Sequence, residues 1–387
     1  TLPTFRRQRQ MCIRDRCRAV VVLTGSDEMN LKIAVMTRFL NPKLQIICRD
    51  TDADHRDLLA TVGEVALISP FEIFAQQLSA AIYTPLLRAW EDWLVGDRSI
   101  DLEHPLRPPR GNWVLCGYGR MGQALHEVLG THGVAFSIID TAEHLQGGDG
   151  RRIRGRVDRN SLTDANLTGA AGLVAGTNND EENLRILLSA RAVNPDAFLL
   201  VRQNHHENEL AFNAANAHLI MQPSLVLARH ILLFLLMPSL GSLLRYLQTD
   251  GIGQVKDLAR RSRERLPEGS PFLWSEHLAD LSCILPGCRN EAQGFVLGDL
   301  LRNPADRESS LDALALVVTR NARDWMLPGP RFTVQSGDVI LFCGSRRARE
   351  LIRATVNNPY TLHYLVTGEE APRSWFFQWL SARMRPS

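Results

Sequence analysis

The feature that most constrains the fold of this chain is an internal repeat. Val21–Arg49 reads VVLTGSDEMNLKIAVMTRFLNPKLQIICR, and Val174–Arg202 reads VAGTNNDEENLRILLSARAVNPDAFLLVR. Identical residues recur at a constant offset (180 − 27 = 153 and 202 − 49 = 153), so no insertion interrupts the match. The same offset relates two further pairs of prolines, which are Pro70 with Pro223 and Pro85 with Pro238. Spacing that is kept over so long a stretch indicates two copies of one folded unit.

The two copies differ at their beginnings. The second copy carries a glycine-rich loop at Gly117, and the counterpart of this loop in the first copy would fall before residue 1. We therefore expect the first copy to be incomplete and the chain to be a fragment that begins inside it. Thr1–Arg16 matches nothing in the second copy at the repeat offset, and we interpret it as sequence foreign to the natural protein.

Composition is that of a soluble globular protein. A chain of 387 residues is too long for one ordinary core, which predicts two or three domains. Apolar residues make up 45% of the sequence and charged residues 22%, as is usual for such proteins. The formal net charge is +2, and beyond the extreme N-terminus no run of Lys and Arg is interleaved with aromatic residues. These features argue against nucleic acid as a partner.

Cysteine and histidine usage does not predict a metal site. The seven cysteines are scattered, and several lie in apolar runs typical of strands, which indicates buried thiols in a reducing cytosol. Cys283 and Cys288 could contact a metal, but no second pair completes the site. The segment Asn204–Glu209 (NHHENE) offers possible ligands, yet its adjacent histidines point apart and no third ligand is evident. We therefore expect a solvated loop there.

No segment of the sequence is predicted to target or span a membrane. Thr1–Arg18 is rich in arginine but lacks the apolar core of a signal peptide. The most apolar stretch, Leu225–Leu247, contains Arg229, His230 and Pro238, which argue against a transmembrane helix. We expect a helix here that packs against a partner subunit or domain and transmits conformational change, with membrane insertion as the alternative.

Apolar runs in the second copy alternate between strand and helix. Strands are predicted at 113–116, 135–139, 172–175, 198–201 and 218–220, and helices at 120–130, 162–167, 180–193 and 207–215. The helix over 180–193 should end at Asn194, because a residue that precedes proline avoids the α region. This alternation predicts a doubly wound parallel sheet, of which the first copy supplies only the latter half.

The glycine-rich loop GYGRMG has the context that a dinucleotide-binding fingerprint requires. It follows a predicted strand, opens a predicted helix, and is followed by an acid at Asp140. Gly117 permits the tight turn, Gly119 lets backbone N–H groups approach a pyrophosphate, and Gly122 lets the helix lie close to the sheet. The predicted cofactor-contacting residues of this loop are Gly117, Tyr118, Gly119, Arg120, Met121 and Gly122. The alternative is a glycine turn that serves packing alone.

Asp140 bears on the identity of the cofactor. It ends the second predicted strand, where a carboxylate accepts hydrogen bonds from ribose hydroxyls. A carboxylate at this place disfavours a 2′-phosphate. The sequence therefore predicts NAD(H) or another adenine nucleotide rather than NADP.

A second group of candidate contacts follows the next strand. Thr177, Asn178 and Asp180 come at the carboxyl end of that strand, where ligands bind in doubly wound sheets. The alternative is that Asp180 is the N-cap of the following helix. The recurrence of its pattern at Asp27 and Asn30 in the first copy is compatible with this structural role.

Together these motifs resemble RCK domains (regulator of K⁺ conductance, the Trk/Ktr-type nucleotide-binding fold). Ala19–Leu94 resembles the second half of such a domain, Gly111–Leu247 resembles a whole one, and Ile284–Gly344 resembles the small β-rich domain that follows it. The resemblance implies the cytoplasmic part of a bacterial potassium channel, at the cytoplasmic face of the inner membrane, with its pore upstream. It also implies a homo-oligomer of paired RCK domains. A soluble potassium-uptake regulatory subunit of Trk type is the close alternative.

One departure from the family pattern concerns the adenine side of the site. The family often has Gly-Asp after the third strand, but here Gly155 is followed by Arg156, and Asp158 comes two residues later. Arg154 or Arg156 could favour a more phosphorylated ligand, so ATP or ADP stands beside NAD(H) as the predicted cofactor.

The expected fold class is α/β, with tandem Rossmann-like parallel sheets, the first truncated, followed by a small β-rich domain. The expected divisions are 1–18 as non-native or unstructured sequence, 19–104 and 111–248 as RCK-like domains, 250–346 as the C-terminal domain and 347–387 as a tail. The expected function is regulatory binding of a nucleotide that gates potassium transport. We find no convincing catalytic constellation, and the rivals are an NAD-dependent oxidoreductase and a ligand-free structural pair.

Overall fold

The computed structural model describes residues 17, 19–49, 59, 63, 65–96, 100–141, 150–266, 271–278 and 295–370. The chain forms two compact units that do not follow chain order. One unit contains residues 1–85 and 106–235, and the other contains residues 86–105 and 236–387. The domain limits expected from the sequence stay predictions.

The described elements follow the expected alternation of strand and helix. The first copy contains β1 (Ala19–Val22), α1 (Asp27–Leu40), β2 (Gln45–Arg49), β3 (Val65–Ile68), α2 (Pro70–Tyr83) and α3 (Pro85–Leu94). The second copy contains β4 (Trp113–Cys116), α4 (Arg120–Gly130), β5 (Phe136–Asp140), β6 (Arg151–Arg154), α5 (Arg159–Asp164), β7 (Gly172–Ala175), α6 (Asp180–Val193), β8 (Phe198–Arg202), α7 (Glu209–Ala214), β9 (Leu219–Met221), α8 (Pro223–Leu236) and α9 (Pro238–Gln248).

The repeat in the sequence is also a repeat of elements. Helices α1 and α6, like strands β2 and β8, have limits that differ by the repeat offset (180 − 27 = 153 and 198 − 45 = 153). The sequence predicted one helix over Leu225–Leu247, and this prediction is corrected, because the segment forms two helices, α8 and α9. Met237 has φ −145°, outside the helical range, and Pro238 has no N–H with which to continue the helix. The first copy breaks in the same way at Thr84, before Pro85.

The second copy is a doubly wound parallel sheet in the order β6-β5-β4-β7-β8-β9, which confirms the fold expected from the sequence. Alternate residues of β4 enter different cores. Trp113 and Leu115 join one core with Leu125 of α4, whereas Val114 joins another with Ile186 of α6. Both faces are therefore covered, as parallel sheets require.

The first copy contributes a shorter parallel sheet, in the order β1-β2-β3. Its helix α2 packs on α4 of the second copy, and Phe71, Leu78, Leu125 and Trp113 share one buried core. The sheets of the two copies thus belong to one compact unit, whereas α3 and α9 belong to the other.

The C-terminal unit is rich in antiparallel β-structure, as the sequence predicted. It adds α10 (Val255–Arg265), β10 (Phe272–His277), α11 (Leu297–Leu300), β11 (Arg302–Asn303), β12 (Asp306–Ser310), β13 (Ala313–Arg320), β14 (Arg323–Met326), β15 (Val339–Gly344), α12 (Arg346–Val356) and α13 (Pro359–Thr367). The main sheet has the order β10-β15-β13-β14. Its core includes Ile352 of α12 and Leu362 of α13, which are buried in it.

The described residues also show whether the cysteines are buried and whether a helix could span a membrane. Cys48, Cys116 and Cys343 are buried free thiols, as expected, whereas Cys283 and Cys288 lie outside the described residues. Burial raises the pKa of the Cys343 thiol to about 12. Within the described ranges, none of the helices combines the length and apolar character needed to cross a membrane.

Candidate functional site

The glycine-rich loop connects β4 to α4. Gly117 has φ +97°, a left-handed conformation that residues with a Cβ rarely adopt. A Cβ on Gly122 would lie 2.4 Å from the carbonyl oxygen of Gly117, so only glycine allows the helix to pass this close to the loop. Gly119 is the N-cap of α4, and no side chain caps the amides of its first turn. A Cβ at Gly119 would meet nothing within 4 Å, so the backbone there is open to a ligand.

The side chains of this loop have different environments. Met121 is fully buried in the core, so only its backbone could contact a ligand. Tyr118 is half-buried, and a hydrogen bond of 2.7 Å joins its hydroxyl oxygen to Nδ1 of His126. The guanidinium of Arg152 lies 5.4 Å from the centre of the Tyr118 ring. The predicted contact of Met121 with a cofactor stays a prediction, and it would be made by the backbone.

Asp140 lies where the fingerprint requires an acid. Its Oδ2 accepts a hydrogen bond from the backbone N–H of Tyr118, so its carboxylate is directly beside the glycine-rich loop. The carbonyl of the same residue accepts from the N–H of Gly155 at 3.0 Å, which fixes the start of the next loop. The structure thus brings together the loop and the acid that the sequence analysis paired.

Thr177 takes part in a buried hydrogen-bond cluster with Asn183. The Asn183 Oδ1 accepts from the N–H of Thr177 at 3.0 Å and from its hydroxyl at 2.7 Å. The Asn183 Nδ2 donates to the carbonyls of Thr177 at 3.0 Å and Arg202 at 2.8 Å. This cluster ties the carboxyl ends of β7 and β8 to helix α6, which is a structural role.

The first copy repeats this cluster atom for atom. Asn30 accepts from the N–H of Thr24 at 2.8 Å and from its hydroxyl at 2.7 Å. It donates to the carbonyls of Thr24 at 3.2 Å and Arg49 at 2.9 Å. The recurrence of Thr and Asn in both copies is therefore explained by these hydrogen bonds at the sheet edge, to which the arginines contribute only a backbone carbonyl.

Asp180 stabilises the loop that follows β8. Its carboxylate accepts from the N–H of Asn204 (2.8 Å), the N–H of His205 (2.9 Å) and the side chain of Asn208 (2.7 Å). Burial opposes ionisation of Asp180, but these hydrogen bonds outweigh it and hold its pKa below the ordinary value. The alternative role considered for Asp180, the N-cap of α6, is wrong. The cap is Asn179, whose Oδ1 accepts from the N–H of Glu182 at 3.0 Å.

The remaining sequence candidates near the site are exposed or capping residues. Asn178 is exposed at the surface of the loop. Arg156 is also exposed, and Asp158 caps α5 by accepting from the N–H of Ser161 at 2.8 Å. That hydrogen bond lowers the pKa of the Asp158 carboxyl. Within the described ranges, no group of three or more His, Cys, Asp or Glu residues is placed to hold a metal ion.

Sequence reasoning assigned no role to two equivalent arginines, Arg49 and Arg202. The Nε atoms of both are buried without a hydrogen-bond partner. Burial, and then the nearby charges of Arg120 and Arg49, lower the pKa of Arg202. The guanidinium of Arg202 lies 4.9 Å from the centre of the Phe71 ring, and that of Arg120 lies 5.6 Å from it. Their recurrence at the last position of each matched segment was the signal that could have found them.

Arg120 also contacts the first copy. Its guanidinium lies 3.6 Å from the carboxylate of Asp27, which is the first-copy counterpart of Asp180. The loop of the second copy and a strand-end acid of the first copy therefore share one region of the molecule. Arg120 also lies close enough to Arg202 for their charges to interact, so positive charge collects near the carboxyl edge of the sheet, where phosphates bind in such folds, and Asp27 offsets part of it.

Comparisons with known proteins agree with the glycine-rich loop and the sheet. The sequence model of the TrkA-N domain matches residues 12–70 and 113–223. The chain is 23% identical over 133 residues to "Probable potassium channel protein 2" of Methanocaldococcus jannaschii, which covers 32% of this chain and 39% of that protein. It is 28% identical over 98 residues to "Potassium channel protein 1" of the same organism, which covers 24% of this chain and 29% of that protein. The matches therefore span well under half of these relatives.

Solved structures that match this chain in backbone structure include that of the GsuK RCK domain. It has 16% identity and a TM-score of 0.46, and the match covers 88% of this chain and 80% of that chain. The GsuK channel bound to NAD has 17% identity and a TM-score of 0.47, and the match covers 89% of this chain and 68% of that chain.

Proposed function

We propose that the chain carries domains of the RCK type and is a ligand-sensing regulatory module for potassium transport. The match of the TrkA-N sequence model to residues 12–70 and 113–223 supports this proposal. In this proposal it binds NAD(H) or an adenine nucleotide such as ATP or ADP, and it gates an attached or associated membrane pore. The site is proposed to act at the cytoplasmic face of a bacterial inner membrane, in a homo-oligomer.

The observation that carries the proposal is the open backbone of the glycine-rich loop beside a carboxylate. The left-handed Gly117 and the close packing at Gly122 bring the start of α4 next to the loop, and its N-cap residue Gly119 has no side chain to cap the amides of the first turn. Free amides and the positive end of a helix dipole are suited to a pyrophosphate. The Asp140 carboxylate, held at the loop by the N–H of Tyr118, is suited to ribose hydroxyls.

The charges around the site bear on the choice of nucleotide. Asp140 would repel a 2′-phosphate, so NADP is disfavoured. Arg120 and Arg202 place positive charge at the same sheet edge, which supports a ligand with two or more phosphates. When bound, such a ligand would supply negative charge to the guanidinium of Arg202, whose Nε atom is buried without a hydrogen-bond partner.

Regulation requires that the nucleotide binds one arrangement of the protein better than another. The equilibrium can then shift only by the difference between the two affinities. Helices α2 and α8 each end at a break before a proline, near the places where the chain passes from one compact unit to the other. In this proposal, ligand-driven change at the loop is passed on through these helices.

The proposal is tested by titration calorimetry of the whole chain with ADP, ATP, NAD, NADH and NADP. We expect saturable binding of at least one adenine nucleotide, and its loss in Gly119→Asp, because a carboxylate there would occupy the place of the pyrophosphate and repel it. Gly130→Asp is the matched control, since it adds the same side chain at the far, exposed end of the same helix. Equal affinity in Gly119→Asp and the unaltered chain would refute the assignment.

Each of the three alternative functions can be tested by a specific experiment. A soluble potassium-uptake subunit of Trk type differs from a channel in what the natural gene encodes upstream, and recovery of that sequence distinguishes the two. An NAD-dependent oxidoreductase requires oxidation or reduction of the bound cofactor. Saturable binding without any change in the NADH absorbance on addition of candidate substrates supports the regulator. A purely structural pair of sheets predicts no heat with any nucleotide.

A further inference from the structure

A basic cavity lies in the C-terminal unit, apart from the glycine-rich loop. Helix α12 follows β15 directly and runs beside the first residue of β10. Between them is a cavity of about 420 Å³, lined by Phe272, Arg346, Arg349, Glu350 and Arg353. This volume lies within the range of roughly 300–1,000 Å³ that small-molecule sites occupy.

The arginines of the cavity occupy one face of α12. Arg346, Arg349 and Arg353 are spaced three and four residues apart, which places them in a row along the helix. The guanidinium carbon of Arg349 lies 5.0 Å from the centre of the Phe272 ring, and that of Arg346 lies 5.8 Å from it. The aromatic ring therefore holds two of the cations in position without neutralising them.

No acid among the described residues forms a direct ion pair with these cations, although the charge of Glu276 interacts with Arg349 and Arg353. Among the described residues, no salt bridge or side-chain hydrogen bond is formed by Arg346, Arg349 or Arg353. Helix α10 of the same unit shows the contrast, because Arg260 there is paired with both Asp257 and Glu264. Like charges in a row destabilise an isolated helix, so an unpaired row has a cost that a bound anion would remove.

The acids near the cavity do not neutralise it. Glu350 lies four residues after Arg346, the usual spacing for an ion pair, yet it forms none with a described residue. Glu276 on β10 is the other acid. Burial raises its pKa, and the charges of Arg353 and Arg349 oppose this rise. The cavity therefore keeps a net positive charge near neutral pH.

We infer that this cavity binds a phosphate group, carried either by a small soluble polyphosphate or by the headgroup of an acidic phospholipid. Guanidinium groups present paired N–H donors that match the oxygens of a phosphate, and three of them converge here. The cavity is too small for a folded partner and large enough for a pyrophosphate-sized ligand. The site is separate from the nucleotide site proposed above, and neither depends on the other.

The experiment compares the whole chain with a variant that carries Arg346→Gln, Arg349→Gln and Arg353→Gln. One arm titrates inorganic pyrophosphate by calorimetry. The other measures sedimentation with vesicles of equimolar phosphatidylglycerol and phosphatidylcholine, against vesicles of phosphatidylcholine alone. Arg347→Gln is the matched control, because it removes the same charge from the same helix outside the cavity.

We expect at least one of the two phosphate sources to bind, and its affinity to fall more than about tenfold in the triple variant, since several charge-assisted hydrogen bonds are lost. Arg347→Gln should change this affinity less than about threefold, as a single surface charge does. Binding of pyrophosphate alone identifies a soluble ligand, and binding of the acidic vesicles alone identifies a lipid.

Two further measurements keep the inference open to refutation. Arg349→Lys keeps the charge but loses the paired donors, so it should weaken binding by an intermediate factor. The circular dichroism spectrum and the thermal unfolding transition should be unaltered in all variants, which shows that they fold. Absence of binding in both arms, or equal loss in Arg347→Gln and the triple variant, overturns the inference.

Discussion

Asn183 supports the sharpest prediction of stability, because the chain contains its own matched counterpart. Asn183 and Asn30 have no exposed surface (0%), and each makes the same four hydrogen bonds in its own copy. The perturbation is Asn183→Ala, with Asn30→Ala as its counterpart and Asn178→Ala as the control. Asn178 is exposed and forms no hydrogen bond with a described residue.

The magnitude follows from the groups that lose their partners. Asn183→Ala leaves the carbonyl of Arg202 and the N–H and carbonyl of Thr177 without their side-chain partner. A buried polar group that is left unsatisfied costs about 1–3 kcal/mol. Thr177 is half-buried, so water can satisfy part of its loss. We therefore expect Asn183→Ala to lower the free energy of unfolding by about 2–4 kcal/mol.

The assay is urea unfolding of the whole chain, followed by circular dichroism at several protein concentrations. Both asparagines lie in the same compact unit, so both variants should shift the same transition to lower urea by similar amounts. Asn178→Ala should stay within about 0.5 kcal/mol of the unaltered chain. A loss below about 0.5 kcal/mol for Asn183→Ala, or losses in the two copies that differ by more than about 2 kcal/mol, would refute the reasoning.

Three other predictions concern single residues. Gly122→Ala should destabilise the chain and weaken nucleotide binding more than tenfold, because its Cβ would lie 2.4 Å from the Gly117 carbonyl; thermal unfolding and calorimetry check this. Burial raises the pKa of Glu91 from 4.5 to about 7, so the folded state holds its proton more tightly than the unfolded state does. Stability should therefore fall by about 3 kcal/mol as pH rises from 4.5 to 7, and pH-dependent urea unfolding should show no such fall in Glu91→Gln. Asp338 has no exposed surface (0%) and pairs with Arg320 through both carboxylate oxygens, at 2.6 Å and 2.7 Å. Asp338→Ala should cost about 3–5 kcal/mol in a urea melt, because it leaves the guanidinium without its partner.

Much of the fold was predictable because local signals in this chain agree with its repeat. The limits of α6 were readable from the acids that open it and from Asn194, which precedes a proline. The glycine-rich loop was readable because Gly117 and Gly122 are required by backbone geometry alone. Such signals lie within a few residues of the position they determine.

The roles of buried polar residues were not predictable in this way. The hydrogen bonds of Asp180 come from Asn204, His205 and Asn208, which lie between 24 and 28 residues later in the chain. Nothing local distinguishes such a carboxylate from a helix cap or a ligand contact. Only the placement of the loop after β8 decides between them.

The packing of α12 and α13 on the C-terminal core was not predictable for a related reason. Helix α12 is rich in arginine, and α13 follows it after a short turn. Each buries only a narrow apolar stripe, through Ile352 and Leu362, on a sheet whose strands are distant in sequence. A strongly charged helix with so narrow a stripe gives a weak sequence signal.

The central claim is that main-chain amides at the start of α4 bind the phosphates of an adenine nucleotide while Asp140 holds its ribose. A crystal structure of the chain grown with saturating ADP tests this most directly. The account predicts density for the diphosphate within hydrogen-bonding distance of the amides around Gly119 and for the ribose at Asp140. Density for ADP at another place, with side chains filling the loop, would contradict it.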